Sequence, residues 1–319
     1  FGEAKLAWFR KFLPFEKGIP SHDTFTEVFA RLDTIEFYAA LESWTREMAR
    51  SLKGETIAFD GKTLCGSFDA AVDKSALHSV SAWACGLKMC IALQSVAEKS
   101  NEIPAVQELI EMLDLSGAVV TADALHCQRE TAEKIIAKDA DFVLMVKGNQ
   151  ETLQAAVQEA LAQAFEEEDP QLRRCGKREK NRDRQETREV AAIPVPKNFD
   201  VFRRWPGVKT MGGIYRCREI QGKREESQEF FISSLPCRVR ALSQHLRAHW
   251  SIENSQHHVL DVTFTEDSSR IRKGNGPEIT SVFRRLALNI LQRDTSLKGS
   301  IRRKRKRCGW DEAVFEQLL

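Results

Sequence analysis

Apolar positions recur every three to four residues between positions 3 and 53, with Phe25, Val28, Phe29 and Leu32 on one stripe, so this stretch predicts helices. Ser21, following Pro20 and followed by Thr24 and Glu27, supplies a helix start. The texture then changes. Ile57, Ala58 and Phe59 close on Asp60-Gly61, which predicts a short strand meeting a turn, and 78–85 with 87–96 predict a hairpin about Gly86. Beyond it helix and strand alternate. Residues 101–115 read as a helix, 118–122 as a buried strand ending at Asp123, 128–138 as a helix, and 142–146 as a strand ending at Lys147-Gly148-Asn149.

Three leading strands followed by this alternation predict an α/β core, a mixed sheet flanked by helices in the ribonuclease-H-like order. A further helix is expected over 151–168. Residues 170–236 turn basic and irregular, with strand-like pieces at 189–195, 213–219 and 229–233, and read as a β-rich insertion. A helical period returns over 239–260 and again over 279–291. The expected organisation is a helical N-terminal piece over 1–53 and a core domain over 54–319, interrupted at about 170–236. The chain opens on Phe1 and stops at Leu319 inside a helical pattern, so both ends are expected to be cut.

Composition narrows the classes. A net charge of +2 announces no polyanionic partner by itself, but local charge does more. Arg302 to Arg307 is an unbroken basic run, and 173–188 carries eight basic residues against three acidic ones. Either could track phosphates, and a solvated tail is the alternative for the first. The eight cysteines include no CxxC pair, which argues against a zinc cage and for a reducing cytoplasm. No apolar run reaches bilayer length, so no membrane partner is expected.

Cutting or joining a phosphodiester needs an activated oxygen nucleophile and charge relief at the leaving oxygen, which two magnesium ions supply. Magnesium prefers hard oxygen ligands, so strand-end aspartates and a helical carboxylate are the signature to seek. Asp60 and Asp123 each close a buried run, on strands expected to lie side by side. Either could instead cap a turn. Glu253, in Trp250-Ser251-Ile252-Glu253-Asn254, is a third candidate, with Asp261, Glu266 and Asp267 as nearby rivals. His245, His249, Glu253 and His257 are spaced by four and share roughly one helix face. A zinc site could be built from them, but four-residue steps drift around a helix, so all four are not expected to converge on one ion.

Four ordered blocks then carry a resemblance: Ile57 to Leu64, Val120 to Gln128, Val146 to Gln150 and His249 to Asn254, extended by Val259 to Phe264, Glu266-Asp267 and Ser269 to Arg272. Together they resemble insertion-sequence transposases of the H-repeat-associated subgroup. The resemblance implies a DDE transposase that cleaves element ends and joins them to target DNA, with Asp60, Asp123 and Glu253 as catalytic and metal-binding triad. It implies two magnesium ions, with manganese able to substitute, DNA ends and target DNA as partners, and a homodimer on the nucleoid. A catalytically silent DNA-binding relic and a nuclease without strand transfer are the alternatives. Members of the wider group set Tyr, Arg, Glu and Lys around the last acid, whereas here those positions hold Leu246, His249, Glu253 and Leu260. His249, Arg247, Arg270 or Arg272 must then meet the phosphate. Lys62 and Lys147 beyond the strands, with Asn149 and Asn254 in the shared blocks, complete the expected DNA contacts, and Trp205 is a candidate for stacking on an unpaired base or for simple packing.

Overall fold

The computed structural model describes residues 1–319 apart from 50, 69–74, 97–101, 182–183, 197–198, 221–222 and 319. Three helices come first: α1 (Leu6–Phe9), α2 (His22–Arg31) and α3 (Thr34–Ala49). Ser21 caps α2 as its sequence suggests, its side chain accepting from the Thr24 amide at 3.2 Å. Five core strands follow: β1 (Thr56–Leu64), β2 (Leu77–Ala84), β3 (Met89–Val96), β4 (Val119–Ala122) and β5 (Asp141–Val146). They are ordered β3-β2-β1-β4-β5, with β1 antiparallel to β2 and parallel to β4, as the ribonuclease-H-like reading requires.

Strand alternation sorts the two faces of this sheet. Ile57, Phe59, Val120, Ala122 and Leu144 pack under α4 (Glu102–Met112), α5 (Arg129–Ala137) and α6 (Glu151–Glu166). Ala58, Val119 and Val143 pack on the other face, under α7 (Val239–His249), α8 (His258–Phe264) and α9 (Gly276–Arg293). Every residue of β4 is buried, the mark of a strand covered on both sides.

Asp60 departs from the expected strand end. β1 continues through Gly61 to Leu64, paired with β2 from Gly61↔Val80 to Leu64↔Leu77. Gly61 serves close packing rather than a turn: a Cβ there would strike the Glu102 carboxylate and lie 2.7 Å from His78 Nε2. Because β4 stops at Ala122 while β1 runs on, Asp60 sits where β1 outlasts its parallel neighbour.

The insertion is an antiparallel meander of β6 (Arg173–Asn181), β7 (Arg184–Pro194), β8 (Thr210–Ile220) and β9 (Lys223–Ser233). β9 pairs with β5 from Val143↔Ser233 to Val146↔Phe230, so among the described residues the insertion extends the core sheet to nine strands. The basic run 302–307 is no loose tail. It lies in α10 (Ile301–Trp310), followed by α11 (Glu312–Leu318), and Lys304 is 7% exposed. Lys304 Nζ donates to the Leu291 carbonyl at 3.0 Å, meeting an orphan acceptor in the last turn of α9. The N-terminal helices also join the core: Thr45 donates to the Ile91 carbonyl of β3, and Trp8 stacks on Phe315 of α11.

Candidate active site

Period two along β1 places Thr56, Ala58, Asp60 and Lys62 on the face covered by the 239–264 helical segment. β4 presents Thr121, and Asp123 follows directly. The opposing segment answers each polar side chain in register. His245 Nδ1 lies 2.8 Å from Thr56 Oγ1. His249 lies 3.1 Å from Thr121 Oγ1 through Nδ1 and 3.3 Å from Asp123 Oδ1 through Nε2. His257 Nδ1 is 3.5 Å from Asp60 Oδ2 and 3.6 Å from Glu253 Oε2. Lys62 Nζ donates to Asp261 at 2.9 Å and to Asp267 at 3.1 Å.

A four-residue step overshoots an α-turn by about 40°, so a uniform α-helix would carry these residues around its axis. The structure breaks that drift. α7 stops at His249, and residues Glu253–His257 form a π-turn before α8. The wider π-turn takes more residues than an α-turn, so the step from 253 to 257 falls short of a full turn and reverses the rotation. The four stripe residues do not converge on one point, as expected: His245 meets Thr56 and His249 meets Asp123, while Glu253 and His257 gather with Asp60.

The last parallel pair of β1 and β4 is Phe59↔Ala122, so Asp60 and Asp123 are the next residues along adjacent strands. Burial, together with the negative charges of Asp123 and Glu253, pushes the Asp60 carboxyl up to about 8, against the Gly61 amide, which donates to it at 2.9 Å. Asp123, with its side chain 57% exposed, is held below the usual carboxylate range, chiefly by its hydrogen bond with His249. Burial, reinforced by the charges of Arg285 and Lys62, drives the His257 pKa down to about 3 and keeps its imidazole neutral.

The rival acids are occupied elsewhere. Glu266 is wholly buried against Arg285 at 2.8 Å, and Asp261 and Asp267 hold Lys62. Glu253 is exposed and directed to the aspartate edge, where Asp60, Glu253 and His257 each offer a ligand atom within 4.8 Å of the other two. Carboxylates and a neutral imidazole converging without a balancing cation form a donor set suited to a divalent metal.

The other sequence candidates divide. Lys147 stands at the rim with its side chain 54% exposed, and its charge acts on Asp123. Asn149 donates to the Ala124 carbonyl at 2.7 Å, fixing the turn after Asp123. Asn254 and Arg270 are exposed, Arg247 pairs with Glu179 at 2.8 Å, and Arg272 donates to the Gly66 carbonyl at 3.3 Å. Lys62 is buried in its two ion pairs and offers no open rim charge. Trp205, 5% exposed, belongs to the core, so of its two sequence readings packing is the one observed.

Two neighbours escaped the sequence reading. Glu102 lies between His78 Nε2, at 2.8 Å, and His126 Nε2, at 3.5 Å, behind Gly61. Trp250, just before the π-turn, carries Arg188 and Arg216 of the insertion over its ring at 4.8 and 4.5 Å. The alternation of β1 taken against the four-residue spacing of 245–261 was the signal for the ladder, and it needed the helix pairing to be seen.

Comparison with known proteins gives the family. The family described as "Transposase DDE domain" matches residues 73–290, a span that holds Asp123 and Glu253 and begins after Asp60. The family described as "DDE_Tnp_1-associated" matches residues 1–45. The chain is 36% identical to the putative transposase YncI of Escherichia coli O157:H7, over 100% of this chain and 83% of that protein. It is 34% identical to the H repeat-associated putative transposase YhhI of Escherichia coli strain K12, over 100% of this chain and 85% of that one. Among solved structures, a piggyBac transposase synaptic complex with hairpin DNA aligns with 98% of this chain and 58% of its own, at TM-score 0.43 and 10% identity. With two thirds of its length matched and full-length relatives above 30% identity, the chain belongs to the DDE transposase family of insertion sequences.

Proposed function

We propose that the protein cleaves DNA at the ends of an insertion sequence and joins the freed 3′-hydroxyl ends to target DNA, with Asp60, Asp123 and Glu253 as its metal-binding catalytic residues. The observation that supports this reading is that Asp60 gathers with Glu253 and His257, while Asp123 follows the neighbouring strand closely enough for its charge to act on Asp60. Two magnesium ions, or manganese in their place, would activate the attacking oxygen and relieve charge on the leaving one.

The chain's own residues prepare that site. Asp60, Asp123 and Glu253 would hold the ions, and burial beside Asp123 and Glu253 raises the Asp60 carboxyl in their absence. His249, anchored on Thr121, orients Asp123. Lys62 ties β1 to Asp261 and Asp267, fixing the α8 end of the segment that bears Glu253. Lys147 at the rim meets a strand phosphate. Element ends and target DNA are the partners, with two copies assembled on paired ends in the cytoplasm.

The test is a plasmid carrying the inverted repeats that flank the gene, incubated with purified protein and magnesium or manganese. Nicked ends and joined products are expected, and both disappear in Asp60→Asn, Asp123→Asn and Glu253→Gln. Cleavage that survives these changes would overturn the assignment, and cleavage without joined products would leave a nuclease.

A further inference from the structure

We infer that His257 is a protein ligand to one of the metal ions, so that Asp60, Glu253 and His257 form a mixed carboxylate–imidazole site. The inference rests on the proposed metal dependence and adds a nitrogen donor to it.

The three side chains offer Oδ, Oε and Nδ1 atoms within 4.8 Å of one another, a spread that a single cation at their centre can span. Nδ1 of His257 faces both carboxylates at 3.5 and 3.6 Å, longer than the usual charge-assisted hydrogen bond. That spacing suits three ligands around an ion better than an imidazole donating to a carboxylate. The ring is 5% exposed and reaches the site from inside the protein. Its other nitrogen, Nε2, is buried with no hydrogen-bond partner among the described residues. With the metal at Nδ1 the ring proton lies on Nε2, an unpaired buried donor whose cost the metal bond has to outweigh.

Local backbone supports the same assignment. The π-turn spans Glu253 to His257, and its two end residues are the two that gather with Asp60. A π-turn inserted into an α-helix is a local cost that recurs where side chains must be aimed. Ile252 and Gln256, one position earlier in each case, are anchored by the core beside Ala58 and by a 2.6 Å hydrogen bond to Ser81 of β2. These contacts fix the rotation of the turn. His249 differs: both of its nitrogens are engaged, by Thr121 and Asp123, so it acts as a positioning residue.

A nitrogen donor shifts preference among divalent ions toward manganese, cobalt and zinc relative to magnesium. Manganese bound to the full chain, without DNA, provides a readout independent of activity. Pulsed electron paramagnetic resonance should show the nuclear coupling of one directly coordinated imidazole nitrogen. In His257→Asn, which offers oxygen in place of the ring nitrogen, the coupling should vanish and manganese affinity fall about 10-fold or more. His249→Asn should keep the coupling. Histidine labelled with 15N in the wild-type chain checks the donor without any substitution, should the His257 variant fail to fold. Bound manganese without nitrogen coupling, or coupling abolished in His249→Asn and kept in His257→Asn, overturns this inference and leaves the three-carboxylate reading standing. A wild-type chain that binds no manganese overturns both.

Discussion

Asp60 is where stability and the proposed catalytic role pull in opposite directions. Its carboxyl is raised from 3.8 to about 8 by burial and by the charges of Asp123 and Glu253. Between those two values the folded chain holds a proton that the unfolded chain has released, so this group lowers the stability of the metal-free protein as pH rises from about 4 to 8. Asp60→Asn keeps the shape and removes the ionisation. Its expected effect at about pH 8 is a gain of about 1–2 kcal/mol, a rise in Tm of a few degrees in metal-free buffer, with DNA cleavage abolished. A Tm equal to or below that of the wild type would show that the carboxylate carries no such strain. Glu102 has the opposite sign. Hydrogen bonds from His126 and His78 bring its pKa from 4.5 down to about 2, so its contribution is complete above 4.5 and disappears as pH falls toward 2. Half-exposed groups are screened, so Glu102→Gln should cost about 1–2 kcal/mol at neutral pH. Urea denaturation should find the difference from wild type shrinking at about pH 3, and a constant difference would refute the coupling.

At the scale of elements, the strands and helices of the core were legible because each buries a face with its own period. Ile57 and Phe59 against Ala58, or the unbroken Val119-Val120-Thr121-Ala122, leave little choice. β6 was illegible because its residues are mostly exposed and basic, so no apolar alternation marks it, and pairing with β7 alone makes it a strand. The π-turn left no trace in composition, since it arises from the need to seat Ile252, Gln256 and His257 together. Glu266 shows the limit of spacing arguments. Near Glu253 in sequence, it competed for the catalytic role, yet it faces away from the edge into a wholly buried pair with Arg285. Removing one partner of such a pair strands a charge, so Glu266→Ala should cost about 3–5 kcal/mol. Glu253→Ala should leave the denaturation midpoint near the wild-type value while eliminating cleavage. A cleavage defect in Glu266→Ala at full stability would reopen the choice of third acid.

Over the whole molecule, an almost neutral net charge conceals a division between charges that hold the fold and charges left for a partner. α10 contains both kinds. Lys304 is turned inward, donating to Leu291 and pairing with Asp294 at 3.2 Å, whereas Arg302, Arg303 and Lys306 on the same helix are exposed. A helix with ordered cations pointing outward presents them at fixed spacing to phosphates, which a loose tail would not do. Replacing Arg302, Arg303 and Lys306 by Gln should therefore weaken binding to all DNA sequences alike. The slope of log affinity against log salt should flatten by about 0.9 for each phosphate that the helix no longer neutralises. Stability should hold, because none of the three is buried, while Lys304→Ala should lower the Tm. Asp123→Ala provides the converse: it removes a proposed metal ligand and leaves the exposed cations in place, so affinity should stay near wild type while cleavage fails. Titrations at several salt concentrations separate the cases. An unchanged slope in the triple variant would clear α10 of a role in binding and shift the phosphate-binding role to the insertion face beside Trp250, where Arg188 and Arg216 lie over the ring.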